Sequence, residues 1–326
     1  MIPRQAQAER LVRPIFVVGC PRSGTTLVQC ILSASSRAFS LPETHFFSWA
    51  VPALGLRADD VARVADVRRE LESEAELMLP SEFWAGLEGR GVLKVIDVFV
   101  AIVEHFRSAP ELRAIEKTPR HVLHLETIGH AFPDAVFVNV VRDPIDVASS
   151  LLGVPFEASR SMLSYAQRWL ESIQVARAYA KANPDRIRTV VYERLVHEPE
   201  AQVRELCQFV DLEYEPRMLE EFGHEAARNI QRDEAWKRDI SRGVIVDRKG
   251  VWRGRLTPGQ AWLVAQATRG PRREYGYADW PSASANSIAA AMVREAGVRF
   301  REARPSTGVV GAARHAGSVL KTLAAA

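Results

Sequence analysis

The run Ile15-Phe16-Val17-Val18-Gly19-Cys20-Pro21-Arg22-Ser23-Gly24-Thr25-Thr26 constrains the fold of this chain more than any other segment. Its four apolar residues read as a buried strand, and the Gly/Pro/Ser cluster after them reads as a turn. Over residues 26–33, Val28, Ile31 and Leu32 fall at helical spacing. A strand that breaks into a glycine-bounded loop and resumes as a helix aims backbone N–H groups and a helix N-terminus at one point. Such a loop is an anion cradle. The plain alternative is a strand-to-helix turn with no ligand.

The rest of the chain extends the pattern. Residues 57–78 read as a charge-laced helix with Val61, Val64, Val67 and Leu71 on one stripe. Residues 113–116 read as a short strand, 121–132 as a helix and 135–141 as a second strong strand. Asp143-Pro144 is the start signal of the next helix, an N-cap acid followed by proline. A long helix over 159–182, a third strand over 187–192 and a helix over 198–210 follow. Strands alternating with helices predict an α/β fold, with a P-loop-type parallel β-sheet flanked by helices on both faces. No internal repeat is visible. We assign residues 8–280 to one domain. Residues 281–326 are rich in alanine and arginine and carry none of the motifs, so they read as a tail or peripheral helices, dispensable for chemistry. Val309, Ala313, Val319, Leu320 and Leu323 within them suit a weak amphipathic helix, which leaves room for a homo-oligomer.

Composition narrows the class. Hydrophobic residues are 47% and charged residues 25% of the 326, values of an ordinary globular enzyme. No apolar run approaches the roughly 20 residues of a membrane-spanning helix. Residues 1–13 are polar and basic without an apolar signal core, which predicts a cytoplasmic protein. Three cysteines, Cys20, Cys30 and Cys207, without metal-ligand spacing, fit a reducing compartment and no bound metal. A net charge of +3 argues against nucleic acid as a partner. Only six of the 43 basic residues are lysine, a compositional bias that makes Lys117 and Lys249, both inside motifs, stand out.

The loop has the spacing of a Walker A motif, but Thr25 stands where the lysine of a nucleotide hydrolase would be. Magnesium-dependent phosphoryl transfer from ATP is therefore disfavoured. Arg22 puts a fixed positive charge inside the loop instead. The second strong strand ends at Val141-Arg142-Asp143-Pro144, which sets a guanidinium at the carboxyl edge where parallel sheets bind ligands. Ser150 lies about two turns along the next helix, on the same face as Asp143. Arg142 and Ser150 suit a phosphate monoester; the alternative for Arg142 is a salt bridge to Asp143 or Asp146.

These segments resemble the sulfotransferases that use 3′-phosphoadenosine 5′-phosphosulfate (PAPS). Residues 15–27 look like the family's 5′-phosphosulfate loop. Val141 to Ser150 resembles its 3′-phosphate site, Tyr192-Glu193-Arg194-Leu195 its adenine-side tyrosine motif, and Arg248-Lys249-Gly250 its late 3′-phosphate loop. The four motifs occur in family order over residues 15 to about 255. Pro-Arg-Ser-Gly-Thr-Thr leans toward the branch of tyrosylprotein and many bacterial enzymes. Cytosolic-type members carry lysine at Arg22, tryptophan at Leu27 and a catalytic histidine at Pro119, so their histidine-base mechanism does not carry over.

The resemblance implies a role for each motif residue. Gly19, Pro21, Arg22, Ser23, Gly24, Thr25 and Thr26 would bind the phosphosulfate. Arg142, Ser150, Arg248, Lys249 and Gly250 would bind the 3′-phosphate, with Tyr192 at the adenine. Lys117 in Glu116-Lys117-Thr118-Pro119 matches the catalytic lysine, and Glu43, 21 residues after Arg22, the general base. His45 is the competing base. The expected reaction moves a sulfuryl group from PAPS, as co-substrate and without a metal, to a hydroxyl or phenol of a small molecule. The segment from His45 to Arg113, which starts with Phe46, Phe47 and Trp49, is expected to line the acceptor pocket, and those aromatic residues to raise the pKa of Glu43. A P-loop kinase or hydrolase and a non-catalytic nucleotide-binding module are the alternatives.

Overall fold

Ile15 and Val17 belong to one buried cluster and Phe16 and Val18 to another, and all four are fully buried. Successive residues of a strand face opposite sides, so this strand lies in a sheet covered on both faces. A computed structural model of the chain describes residues 11–73, 77–154, 161–224 and 247–302. They fall into two compact units. The first comprises 11–20, 24–73, 77–141 and 175–224; the second comprises 21–23, 142–154, 161–174 and 247–302.

The first unit contains strands β1 (Ile15–Gly19), β2 (Ala38–Ser40), β3 (Val61–Arg63), β4 (Val92–Lys94), β5 (Arg113–Lys117), β6 (Val136–Val141) and β7 (Ile187–Val191). Five of them form a parallel sheet in the order β2-β5-β1-β6-β7. Helix Thr25–Ser33 packs Leu27, Val28, Ile31 and Leu32 on one face with Ile115, Val136, Val138 and Val140. The other face is aromatic: Phe16, Phe47, Phe99, Phe132 and Phe137 pack with ring centroids 5.0 to 6.4 Å apart. The predicted α/β class and parallel sheet are thus observed.

Two readings need correction. Residues 61–63 are a strand paired antiparallel with β4, and among the described residues of that stretch the helix is Val64–Ser73. Val64, Val67 and Leu71 are buried as the stripe requires, whereas Val61 is 63% exposed on the small sheet. Phe46 and Phe47 lie in a π-helical turn, Phe46–Ala50, that turns both rings into the core against Phe99. They are core residues, and Trp49, 43% exposed with its indole N–H donated to Ser73 Oγ, is the aromatic side chain of that turn which reaches solvent. Residues 159–160 and the hydrophobic positions 309–323 lie outside the described residues.

In the second unit, Asp143 caps helix Pro144–Leu152 by accepting from the Ile145 N–H at 2.8 Å, as its sequence predicts. Helix Pro258–Ala267 begins with a capping box of Thr257 and Gln260. Helix Ala285–Glu302 packs on it at Gly259, where an added Cβ would collide with the Ser287 carbonyl oxygen. Its Glu295 carboxylate accepts from the N–H groups of Met162 and Leu163 at 3.0 and 3.1 Å, satisfying the first turn of helix Met162–Ala182.

Candidate active site

Parallel pairing brings Glu43 and Lys117 together. β2 and β5 run side by side with Ser40 opposite Ile115, so three residues beyond one and two beyond the other reach the same carboxyl edge. Lys117, the last residue of β5, lies opposite Val17 of β1. Its ammonium donates to Glu43 Oε1 in an ion pair, with Lys117 2% and Glu43 17% exposed. His45 Nε2 is 3.6 Å from the other carboxylate oxygen. His45 adopts a left-handed backbone, φ 50°, which starts the turn that buries Phe46 and Phe47.

At the end of β1 the loop is built for close approach. Gly19 has φ 145°, and a Cβ there would meet the Val140 carbonyl oxygen at 2.4 Å. Gly24, φ 99°, is the N-cap of helix Thr25–Ser33, and a Cβ on it would meet the Tyr192 ring at 2.6 Å. Only glycine tolerates both the backbone and the contact. Tyr192 follows β7 directly and is 6% exposed. Thr25 and Thr26 are buried in the first turn of the helix, where N–H groups lack intrahelical partners.

The second unit gathers the arginines. Arg22, in the left-handed region at φ 73°, donates from Nε to Ser150 Oγ at 3.1 Å. A residue other than glycine in this region is strained and is held there by its surroundings. Arg142, 6% exposed, donates to the Arg22 carbonyl at 3.4 Å and to the Arg248 carbonyl at 2.7 Å. Trp169 Nε1 donates to the Arg142 carbonyl at 2.9 Å. The Arg22 guanidinium thus meets a hydroxyl, and the Arg142 guanidinium holds the backbone of Arg22 and of Arg248. Lys249 is exposed, with its N–H on Asp247 Oδ1 at 2.8 Å. Asp143 pairs with Arg272 at 3.1 Å, and the charge of Arg142 acts on Asp146.

A sequence model described as "Sulfotransferase family" matches residues 14–216, more than half of the chain. This chain belongs to the sulfotransferase family. The match includes Glu43, Lys117, Arg142, Ser150 and Tyr192 and ends before Arg248. A protein of Aquifex aeolicus described only as uncharacterized is 29% identical over 215 residues, 64% of this chain and 26% of its own length. A putative protein-tyrosine sulfotransferase of Caenorhabditis briggsae is 28% identical over 213 residues, 63% of this chain and 68% of that protein. Nodulation protein NoeE of Sinorhizobium fredii is 26% identical over 264 residues, 74% of this chain and 60% of NoeE. This chain thus spans about a quarter of the first relative's length and roughly two thirds or less of the other two. Among solved structures, the sulfotransferase domain from the curacin biosynthetic pathway aligns with TM-score 0.48 and 21% identity, covering 64% of this chain and 77% of that one. Mouse sulfotransferase SULT7A1 complexed with PAP aligns with TM-score 0.47 and 13% identity, covering 84% and 92%.

This sulfotransferase-family chain holds further polar residues that its motifs did not single out. Glu116 and His121 are buried beside Lys117. Burial pushes the Glu116 carboxyl up, but the His121 ring and hydrogen bonds from His121, Thr118 and Thr44 outweigh it and hold the group below its usual range. The signal in the sequence is an acid inside an apolar strand, next to the motif lysine. Asp146 accepts from the Gly250 and Trp252 N–H groups at 2.7 and 3.0 Å and so anchors the Arg248-Lys249-Gly250 turn. Burial raises its pKa, against the pull of Arg142 and those two N–H groups. Its signal is a second acid three residues after the N-cap. Among the described residues, no group of His, Cys, Asp and Glu is arranged to hold a metal ion, and no helix is long and apolar enough to cross a membrane.

Proposed function

We propose that this chain transfers a sulfuryl group from PAPS to an alcohol or phenol, releasing 3′-phosphoadenosine 5′-phosphate (PAP). The observation that carries the reading is the Glu43–Lys117 ion pair, which joins a carboxylate and an ammonium at one edge of the sheet. Membership of the sulfotransferase family supports it. The loop Gly19 to Thr26, with Pro21, Arg22, Ser23, Gly24 and Thr25, takes the 5′-phosphosulfate. Arg142, Ser150, Arg248, Lys249 and Gly250 take the 3′-phosphate, and Tyr192 lies toward the adenine. The contact of Arg22 with Ser150 and the bonds of Arg142 to the Arg22 and Arg248 carbonyls support this division.

In the reaction the bond between sulfur and the bridging phosphate oxygen breaks, and a bond from the acceptor oxygen to sulfur forms. Glu43 takes the acceptor proton. Lys117 stabilises the negative charge that grows on the departing phosphate. An ammonium has three N–H donors, so Lys117 can keep its bond to Glu43 while donating to that oxygen. Arg22 and the N-terminus of helix Thr25–Ser33 stabilise the charge of the donor.

The acceptor is proposed to be a small molecule. The low exposure of Glu43 and Lys117 supports a hydroxyl carried at the tip of a slim group. A peptide tyrosine meets that description too, and relatives named protein-tyrosine sulfotransferases make it the competing acceptor. A cytoplasmic setting, read from the cysteines, belongs to the proposal as well. Incubation with PAPS or with ATP and magnesium, against a metabolite extract and a tyrosine peptide, tests the reading. PAPS consumption with a sulfuryl mass gain on a metabolite is the expected result. Turnover of ATP alone would return the chain to the kinase or hydrolase class, and gain only on the peptide would replace the small acceptor.

A further inference from the structure

We propose that Glu116, Thr118, Thr44 and His121 form a buried clamp that positions the Glu43 segment against Lys117. The inference deepens the sulfotransferase reading and rests on it for the roles of Glu43 and Lys117. Four residues that flank or follow this pair in sequence, Thr44, Glu116, Thr118 and His121, are each no more than 2% exposed. Their donors and acceptors interlock, with the Thr44 N–H also 3.4 Å from Glu116 Oε1. Glu116 Oε1 accepts from Thr44 Oγ1 at 2.8 Å and Thr118 Oγ1 at 2.7 Å, and Glu116 Oε2 meets His121 Nδ1 at 2.9 Å. Having donated its proton, Thr118 Oγ1 accepts from the N–H groups of Thr44 and His45 at 3.1 and 3.2 Å. Thr44 Oγ1 accepts likewise from the Phe46 N–H at 3.3 Å.

The Phe47 N–H donates to His121 Nε2 at 3.1 Å. His121 thus links the Glu116 carboxylate at Nδ1 to the Phe47 N–H at Nε2. One buried carboxylate, by way of two hydroxyls and a ring, therefore fixes the backbone N–H groups of Thr44, His45, Phe46 and Phe47. These are the residues directly after Glu43. The same carboxylate and hydroxyl sit on either side of Lys117 in β5 and the residue after it. Clamp and ion pair share one stretch of backbone on each side.

A buried carboxylate is tolerated only when hydrogen-bonded, and this one spends every bond on the approach to Glu43. The four residues touch no reacting atom in the proposed reaction. They are positioning residues, and loss of one should displace the base while leaving donor binding intact. A displacement of about 1 Å is enough to cost on the order of 10² in rate.

The test compares wild type with Thr118→Val and Thr118→Ser. Valine matches threonine in shape and removes both the donor and the acceptor; serine keeps the hydroxyl. In Thr118→Val, amide exchange at Thr44 and His45 should rise at least about tenfold while β1 and β6 amides stay protected. With PAPS and 4-nitrophenol as probe acceptor, kcat should fall about 10- to 100-fold, PAP affinity should hold within about twofold, and Thr118→Ser should recover most of the rate. If Thr118→Val does not fold, Thr44→Val removes the other hydroxyl donor to Glu116 and the acceptor of the Phe46 N–H, so exchange should rise at Phe46 with the same fall in kcat, and Thr44→Ser is its rescue. Wild-type kcat in a folded valine variant, or a serine variant as slow as valine, would overturn the clamp. A wild-type chain that binds no PAP would instead fail the sulfotransferase reading. The exchange arm needs no nucleotide, and unchanged exchange at Thr44 and His45 overturns the clamp in that case too.

Discussion

Lys117 Nζ is bound to Glu43 Oε1 although 74 residues separate them, because each stands just beyond the carboxyl-terminal end of paired register positions in neighbouring parallel strands. A carboxylate and an ammonium that meet through sheet register need no flexible loop to find each other. The pair is set by the backbone, and its orientation is then a matter of the polar residues behind it.

The Arg22–Ser150 contact makes a first prediction. Ser150→Ala removes the hydroxyl that accepts from Arg22 Nε and one donor proposed for the 3′-phosphate. A lost hydrogen bond to a charged group costs about 1.5–3 kcal/mol, so PAP affinity should fall about 10- to 100-fold. Affinity for adenosine 5′-phosphate, which lacks the 3′-phosphate, should change little. Calorimetry with the two nucleotides measures the difference.

Asp146 makes the second. Its carboxylate holds the N–H groups of Gly250 and Trp252, so Asp146→Ala should release the turn that carries Arg248 and Lys249. Proteolysis after either basic residue should quicken, and PAP should protect wild type more than the variant. Equal cleavage of the two proteins, with and without PAP, is the result that would count against the anchor.

How much of this was legible in the sequence depends on what each side chain faces. β1 and β6 are buried on both sides, so their runs of Ile, Val and Phe identified them. β3 and β4 are three residues each and largely exposed, and Val61-Ala62-Arg63 was absorbed into the helical pattern that follows. The glycine-bounded loop was readable from its strand-turn-helix pattern, whereas Lys117 and Glu43 were singled out only through the resemblance to the family. Phe46 and Phe47 were misread because nothing in an aromatic pair tells core from pocket lining; a left-handed His45 decides it. The Glu116 clamp was not legible either. Its members lie in two segments more than seventy residues apart, and only the strand register joins them.

Acid should destabilise the chain over two overlapping pH windows. Burial, with His121 and Arg120 nearby, lowers the pKa of His124 from 6.5 to about 4. Between those values the unfolded chain binds the proton and the folded chain does not, so stability falls as pH falls through this window. Glu116 is held below its ordinary 4.5, so its contribution is present above that value and is lost as pH drops further toward its folded pKa. Asp146 is raised and works in the opposite direction. Denaturant midpoints measured from pH 7 to 3 should decline, and His124→Gln should flatten the decline between pH 6.5 and 4.

Glu295 gives a stability prediction for the C-terminal region. Its carboxylate, 6–7% exposed, satisfies the Met162 and Leu163 N–H groups. Glu295→Ala leaves buried donors unpaired at a cost of about 1–3 kcal/mol. Removal of everything after Trp280 should cost at least as much, so the absence of motifs from residues 281–326 does not make helix Ala285–Glu302 expendable for folding. Chemical denaturation of the two variants checks this.

The central claim, sulfuryl transfer with Glu43 as the base and Lys117 beside it, is tested most directly by turnover of Glu43→Gln and His45→Gln in parallel with PAP binding. Both residues adjoin one another, His45 Nε2 lying 3.6 Å from Glu43 Oε2, so the comparison separates the two candidate bases. Loss of a general base costs about 10²–10⁴ in rate. Glu43→Gln should lose that much kcat with PAPS while its PAP affinity stays near wild type, and His45→Gln should lose far less. A dead His45→Gln beside an active Glu43→Gln would contradict the account and move the base to the imidazole.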